Sequence, residues 1–99
     1  MARFDVYASA STPGYLLDVQ ADLLSGLNTR VVVPLLPLKK APKPAAQLNP
    51  AFEVKGVAVS MATQFIAAVP VTELKQHIGS LERERDAILG AIDFLHQGW

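Results

Sequence analysis

The sequence predicts a mainly β protein with one C-terminal α-helix, an α+β arrangement in which the strands come first. Three observations carry this prediction. Apolar and polar residues alternate near the N-terminus, three consecutive valines occupy positions 31–33, and a helical apolar stripe begins after Ser80. Strands followed by a single helix favour a small antiparallel sheet or barrel over a parallel α/β fold.

The first two strands are predicted on either side of a turn. Residues 4–8 alternate with the period of two that is typical of a half-buried strand. Residues 9–14 end in Pro-Gly and turn the chain. Residues 15–20 are the second strand, with apolar side chains around Asp18.

A bend is predicted at residues 22–28. Gly26 and Asn28 can take the positive φ angles that tight turns use. Leu23 and Leu24 are adjacent, so at most one can readily point inward, and we expect the other to be exposed for contact.

The centre of the sheet is predicted at residues 30–36, whose continuous apolarity indicates a strand covered on both faces. Pro34 conflicts with that strand because it has no N–H to donate, so pairing should stop or bulge there. Residues 37–50 contain several prolines and three lysines, and we expect a mobile loop.

The remaining strands are a hairpin and a last strand. Residues 51–54 and 57–61 flank Lys55-Gly56, which predicts a tight hairpin turn. The last strand is predicted at residues 64–71.

The clearest element is the C-terminal helix. Ser80 is its predicted N-cap, and Gly98 is a natural helix-ending residue. The apolar stripe consists of Leu81, Ile88, Ile92, Leu95 and Trp99. Trp99 is either the last residue packed along that stripe or an aromatic contact for a partner.

Composition predicts a single domain over residues 1–99 that acts in the cytoplasm through surface contacts. The sequence has no local carboxylate pair, no glycine-rich phosphate loop and no serine in a nucleophile-elbow context, so the chain is predicted not to be an enzyme. Hydrophobic residues make up 51% of the chain, an excess that a homodimer interface would absorb. Nine basic and nine acidic residues cancel, which disfavours nucleic acid or a membrane as direct partners. The chain has no cysteine and no histidine pair at ligand spacing, so neither a metal nor a cofactor is predicted.

Taken in order along the chain, several stretches resemble the CcdB toxins of bacterial toxin–antitoxin modules. The matching stretches are residues 4–7, 18–24, 28–35, 69–71, 91–95 and Gly98. The resemblance implies a homodimer with a twisted antiparallel sheet of SH3-like barrel type, the CcdB/MazF fold, and a long C-terminal helix.

The resemblance also implies a function. CcdB toxins bind the A subunit of DNA gyrase and trap the gyrase–DNA cleavage complex. A CcdA-like antitoxin neutralises them, and operator DNA is bound only by the complex with the antitoxin. The implied gyrase-binding residues of this chain are Leu23, Leu24, Asp93, His96, Gln97, Gly98 and Trp99.

One departure from the family lies at the C-terminus. The best-known members end in Trp-Gly-Ile, whereas this chain ends in Gln97-Gly98-Trp99, with the aromatic ring after the glycine. Three outcomes stay open: weaker gyrase binding, binding through Trp99, or a gyrase-silent homologue that acts only as an antitoxin-binding co-repressor. A MazF-like endoribonuclease is the alternative from another functional class, because MazF toxins share the fold.

Overall fold

The computed structural model describes residues 2–9 and 13–98, in which seven strands form one curled antiparallel sheet and one α-helix follows. The predicted fold class is therefore confirmed. The elements are β1 Asp5–Ser9, β2 Tyr15–Asp18, β3 Thr29–Pro37, β4 Ala51–Val54, β5 Val57–Met61, β6 Ala67–Pro70, β7 Leu74–Ser80 and α1 Arg85–Gln97. The strand order is β4-β5-β3-β2-β1-β7, with β6 paired to β3.

Strand β3 is the centre of the sheet, as its apolar run predicts. One edge pairs with β2, while the other edge pairs first with β6, at residues 29–32, and then with β5, at residues 35–37. Pro34 lies in the gap between these two partners. No ladder hydrogen bond requires an N–H group at this position, so proline is tolerated there. Its carbonyl oxygen accepts a hydrogen bond from the backbone N–H of Ala62 at 2.9 Å. The predicted interruption of pairing therefore occurs on one edge only.

The β4–β5 hairpin is confirmed around its two-residue turn. Lys55 and Gly56 both have positive φ angles, 54° and 77°. Two successive positive φ values give a turn whose twist matches the twist of the flanking strands.

The segment after β5 differs from the prediction. Residues 64–71 are a 3-10 turn, Thr63–Phe65, followed by the short strand β6. The last strand is β7, which the sequence did not indicate because its middle residues Lys75, Gln76 and His77 are polar and exposed. Among the residues that the structure describes, β7 pairs only with β1, and an edge strand of this kind can keep these side chains in solvent.

The helix starts later than predicted. Residues Glu82–Glu84 form a 3-10 turn, and α1 begins at Arg85. The hydroxyl oxygen of Ser80 accepts a hydrogen bond from the N–H of Glu82 at 3.1 Å. Ser80 therefore caps this short turn and does not cap α1.

The alternation of side chains along the strands creates two apolar layers. On one face, Val6, Leu17 and Val33 pack with Ile88 and Ala91 of α1. Burying a side chain such as Ile88 contributes about 1.5–3 kcal/mol, which fixes the first half of α1 on the sheet. The opposite face carries a smaller cluster of Tyr7, Leu16, Val32 and Leu74.

The loop after β3 is tied down near its end. The side-chain oxygen of Asn49 accepts from the N–H of Ala45 at 3.0 Å, and its amide nitrogen donates to the carbonyl of Met61 at 2.9 Å. The expectation of a freely mobile loop therefore does not fit residues 45–50. No helix in the described part of the chain has the length and apolarity that crossing a membrane requires.

Candidate functional site

The bend between β2 and β3 exposes its apolar residues. Leu23 is 94% exposed and Leu24 is 49% exposed, so both leucines face solvent where the sequence predicted only one. Asp22–Leu24 forms a 3-10 turn, and the N–H of Leu27 donates to the carbonyl of Leu24 at 3.2 Å. Such turns use right-handed backbone. Accordingly, neither Gly26 nor Asn28 has the positive φ angle that the sequence allowed.

A buried ion pair lies beneath this bend. Arg30 and Asp18 are both fully buried, and the guanidinium donates to one carboxylate oxygen through Nε at 3.0 Å and through Nη2. Burial raises the pKa of the Asp18 carboxyl group, and its hydrogen bonds from Arg30 and from the N–H of Gln20 oppose that rise. Arg30 Nη1 has no hydrogen-bond partner among the described residues. This pair could not be predicted from the sequence, because the two residues stand in separate strands.

The other predicted contact residues lie at the end of α1. Asp93, His96, Gln97 and Gly98 are all exposed, as a contact surface requires. Gly98 ends the helix as predicted, with a φ of 80° and its N–H donating to the carbonyl of Phe94 at 2.8 Å. Trp99, the remaining predicted contact residue, lies outside the described residues.

A cleft opens beside the middle of α1. Asp93 lines this cavity of about 370 Å³ together with Gln47, Pro50, Ala87, Gly90 and Ala91. The small residues of the helix leave this space next to the loop that precedes β4. Of the predicted contact residues, Asp93 is the one that borders the cleft.

The structure does not bring the two groups of predicted contact residues together within one chain. Among the described residues, α1 makes no extended contact with the 3-10 turn at residues 22–24. A partner that touches both groups would therefore contact two separate parts of the surface, on one chain or on two copies of it.

A polar cluster on β1 and β7 was missed by the sequence. His77 Nε2 lies 3.4 Å from Asp5 Oδ1, and the hydroxyl of Tyr7 donates to Asp5 Oδ2 at 3.4 Å. The rings of Tyr7 and His77 meet edge to face with centroids 5.4 Å apart. Burial, and then the negative charge of Asp5, raise the pKa of Tyr7 to about 12. The cluster depends on β7, so the failure to predict that strand hid it.

An apolar groove lies on the same face of the sheet. It has a volume of about 370 Å³ and its floor includes Leu16, Val32 and Pro34. Phe65 and Val69 are among its other lining residues, and Ser9 and Glu73 add polar groups.

Comparison with known families identifies the chain. The model of the CcdB family, described as CcdB protein, matches residues 3–98. The chain belongs to the CcdB family. As a CcdB protein it is a toxin of the toxin–antitoxin class. Comparison with curated protein sequences finds no match.

Solved structures share the fold of this CcdB protein. An endoribonuclease from a mycobacterial species matches with a TM-score of 0.81 and 16% identity, over 100% of this chain and 94% of that one. An endoribonuclease in complex with its cognate antitoxin, also mycobacterial, matches with a TM-score of 0.79 and 16% identity, over 100% of this chain and 98% of that one.

These structures correct one prediction. The inference that the chain is not an enzyme is wrong, because proteins with this fold over the whole chain are endoribonucleases. It was drawn from the lack of a local catalytic motif. Tertiary structure can bring ionisable groups of distant strands together, and Asp5 and His77 lie 3.4 Å apart although they are far apart in the sequence. Missing local motifs therefore exclude little.

Proposed function

We propose that this toxin binds the A subunit of DNA gyrase and traps the gyrase–DNA cleavage complex. The observation that carries the proposal is the family match over residues 3–98. The exposure of Leu23 and Leu24, and of Asp93, His96, Gln97 and Gly98, supports it, because these are the residues that the family resemblance implies as gyrase contacts. Trp99 completes the proposed contact surface.

We further propose that two copies of the chain bind one gyrase together. The bend and the end of α1 do not pack on each other, so a homodimer would let one partner touch both groups. The exposed side chain of Phe65 supplies apolar area outside the contact residues. Sedimentation of the purified chain should give twice the monomer mass, and a monomer at micromolar concentration would argue against this arrangement.

The proposed regulator is a CcdA-like antitoxin. One of the structurally similar endoribonucleases was solved in complex with its cognate antitoxin. The resemblance to the CcdB family implies an antitoxin of the CcdA type. We propose that operator DNA is bound only by the toxin–antitoxin complex, because the chain itself has equal numbers of basic and acidic residues. These partners would place its action in the cytoplasm.

A pull-down with a gyrase A fragment tests the target. The full chain should retain the fragment, while a chain truncated after His96 should lose at least about tenfold in affinity, the loss expected when a central aromatic contact is removed. Val57→Ser is the matched control, since it removes an exposed apolar side chain from the β4–β5 hairpin.

Growth assays separate the alternatives. Arrest of gyrase-containing cells by the full chain, with cleaved DNA bound to gyrase, supports gyrase trapping. Equal toxicity of the truncated chain would argue against a role for the C-terminus. Antitoxin binding without gyrase binding would instead favour the gyrase-silent co-repressor.

The second candidate function is RNA cleavage, which the two structurally similar endoribonucleases favour. RNA cleavage requires a positioned base and acid. His77 beside Asp5 is a pair of that kind, with the imidazole more than half exposed and therefore within reach of a substrate.

The two histidines of the chain distinguish the two functions. If RNA cleavage is the activity, purified protein should cut RNA and His77→Gln should lose it, while His96→Gln should not. If gyrase binding is the activity, His96→Gln should weaken the pull-down and His77→Gln should leave it intact. RNA left whole by the wild-type chain would remove this second candidate.

A further inference from the structure

A third leucine extends the apolar surface of the bend. Leu27 is 52% exposed, and hydrogen-bonded 3-10 turns connect it with Leu23 and Leu24. Here these three residues are called the leucine surface. Exposed leucines do not stabilise the free chain, and they lower its solubility. A cluster of them on a short bend therefore indicates a contact surface.

The side chain of Gln20 holds this surface from below. Gln20 is only 6% exposed, and its amide nitrogen donates to the carbonyl of Leu24 at 2.8 Å. Its amide oxygen accepts from the N–H of Val31 at 3.0 Å. One buried carboxamide therefore joins the middle of the bend to the start of β3.

Two further contacts fix the ends of the bend. The carboxylate of Asp22 accepts from the backbone N–H of Arg3 at 2.7 Å. The carbonyl of Asn28 accepts from the N–H of Val71 at 2.9 Å. The bend is thus tied to the N-terminal segment, to β3 and to the segment after β6, although its side chains face solvent.

We propose that Gln20 is a positioning residue that preorganises Leu23, Leu24 and Leu27 as one apolar contact surface for the gyrase A subunit, with Leu27 as a contact residue. The inference rests on the proposed function and deepens it. A surface that is already ordered loses less conformational freedom on binding, so more of the apolar contact energy is retained as affinity. Gln20 acts without touching the partner, since its side chain is buried.

The contact role of Leu27 is tested by a matched pair of variants. Leu27→Ser should weaken binding of the gyrase A fragment roughly tenfold, as expected for a residue at the core of an interface. Leu38→Ser is the control, because Leu38 is 51% exposed. It follows the end of the nine-residue strand β3 that lies farther from Leu27. Equal binding by Leu27→Ser and the wild-type chain overturns the contact role.

The positioning role of Gln20 needs a readout that general destabilisation does not change. Gln20→Met keeps the length of the side chain and removes both hydrogen bonds. Amide hydrogen exchange should become faster at residues 24–27 while β4 and β5 keep their protection, and fragment affinity should fall. Val59→Ala is the control, since it weakens the core at the opposite end of β3. It should leave exchange in the bend and binding almost unchanged.

The outcomes separate this inference from the function on which it rests. If the wild-type chain does not bind the gyrase A fragment, the proposed function fails and the inference fails with it. If the wild-type chain binds and Gln20→Met neither loosens residues 24–27 nor weakens binding, only the inference is overturned. Faster exchange with unchanged affinity also overturns it.

Discussion

The bend at residues 22–28 and the end of α1 are both exposed, yet different interactions hold them. Gln20 and the N–H of Arg3 fix the bend through contacts made across the fold. At the end of α1, the N–H of Gly98 bonds to Phe94, four residues earlier. The bend is therefore only as stable as the packing beneath it, whereas the helix end is capped locally.

The largest expected effect concerns the ion pair beneath the bend. Arg30→Met leaves the Asp18 carboxylate buried without its cation, and should lower the free energy of unfolding by about 3–5 kcal/mol. Urea denaturation measures this loss. The exposed Arg83 is the control, and Arg83→Met should change the free energy by no more than about 0.5 kcal/mol. Equal effects of the two substitutions would contradict the structural role of the pair.

A pair of glycines compares the two regions directly. Gly98 has a φ of 80°, so Gly98→Ala should destabilise the end of the helix by about 1 kcal/mol, seen as faster amide exchange over residues 94–98.

Gly26 lacks a positive φ, and a Cβ added there would have no atom within 4 Å. Gly26→Ala should therefore stabilise the protein by about 0.4–1 kcal/mol in urea denaturation. Destabilisation by Gly26→Ala would mean that the bend needs glycine.

The last expected effect is confined to alkaline pH and concerns the sheet face that carries Asp18. The pKa of Tyr7 is raised to about 12, so the folded state favours the protonated phenol. This contribution to stability is fully present below the unfolded pKa of about 10 and is lost as the pH rises through the folded value. Tyr7→Phe should therefore lose less stability than the wild-type chain between these two pH values. Parallel loss in both proteins would contradict the raised pKa.

Local patterns were sufficient for most of the fold. The valine run located β3 at the centre, Lys55-Gly56 located the hairpin turn, and Gly98 located the end of the helix. Each of these depends on a few neighbouring residues. β7 was missed because polar edge strands lack an apolar period, and the start of α1 was displaced because Ser80 caps a 3-10 turn.

The residues of the candidate site also fall into two groups, those that the sequence predicted and those that only the structure revealed. The sequence and its family resemblance selected Leu23 and Leu24 and the end of the helix, and these described residues are exposed as a contact surface requires. Leu27, Gln20 and the Asp5–His77 pair could not be found, because each depends on contacts between distant segments.

The sequence by itself determined the strand-then-helix order, the central strand and membership of the CcdB family. These follow from the spacing of apolar residues and from the order of the stretches that match the family, and neither requires coordinates. Only the tertiary structure decided which side chains are buried together. Asp18, Gln20 and Arg30 are polar, and nothing local to them requires burial. Pairing β2 with β3 brings them under the bend, where burying a charge or an amide is tolerable only because each finds a hydrogen-bonding partner.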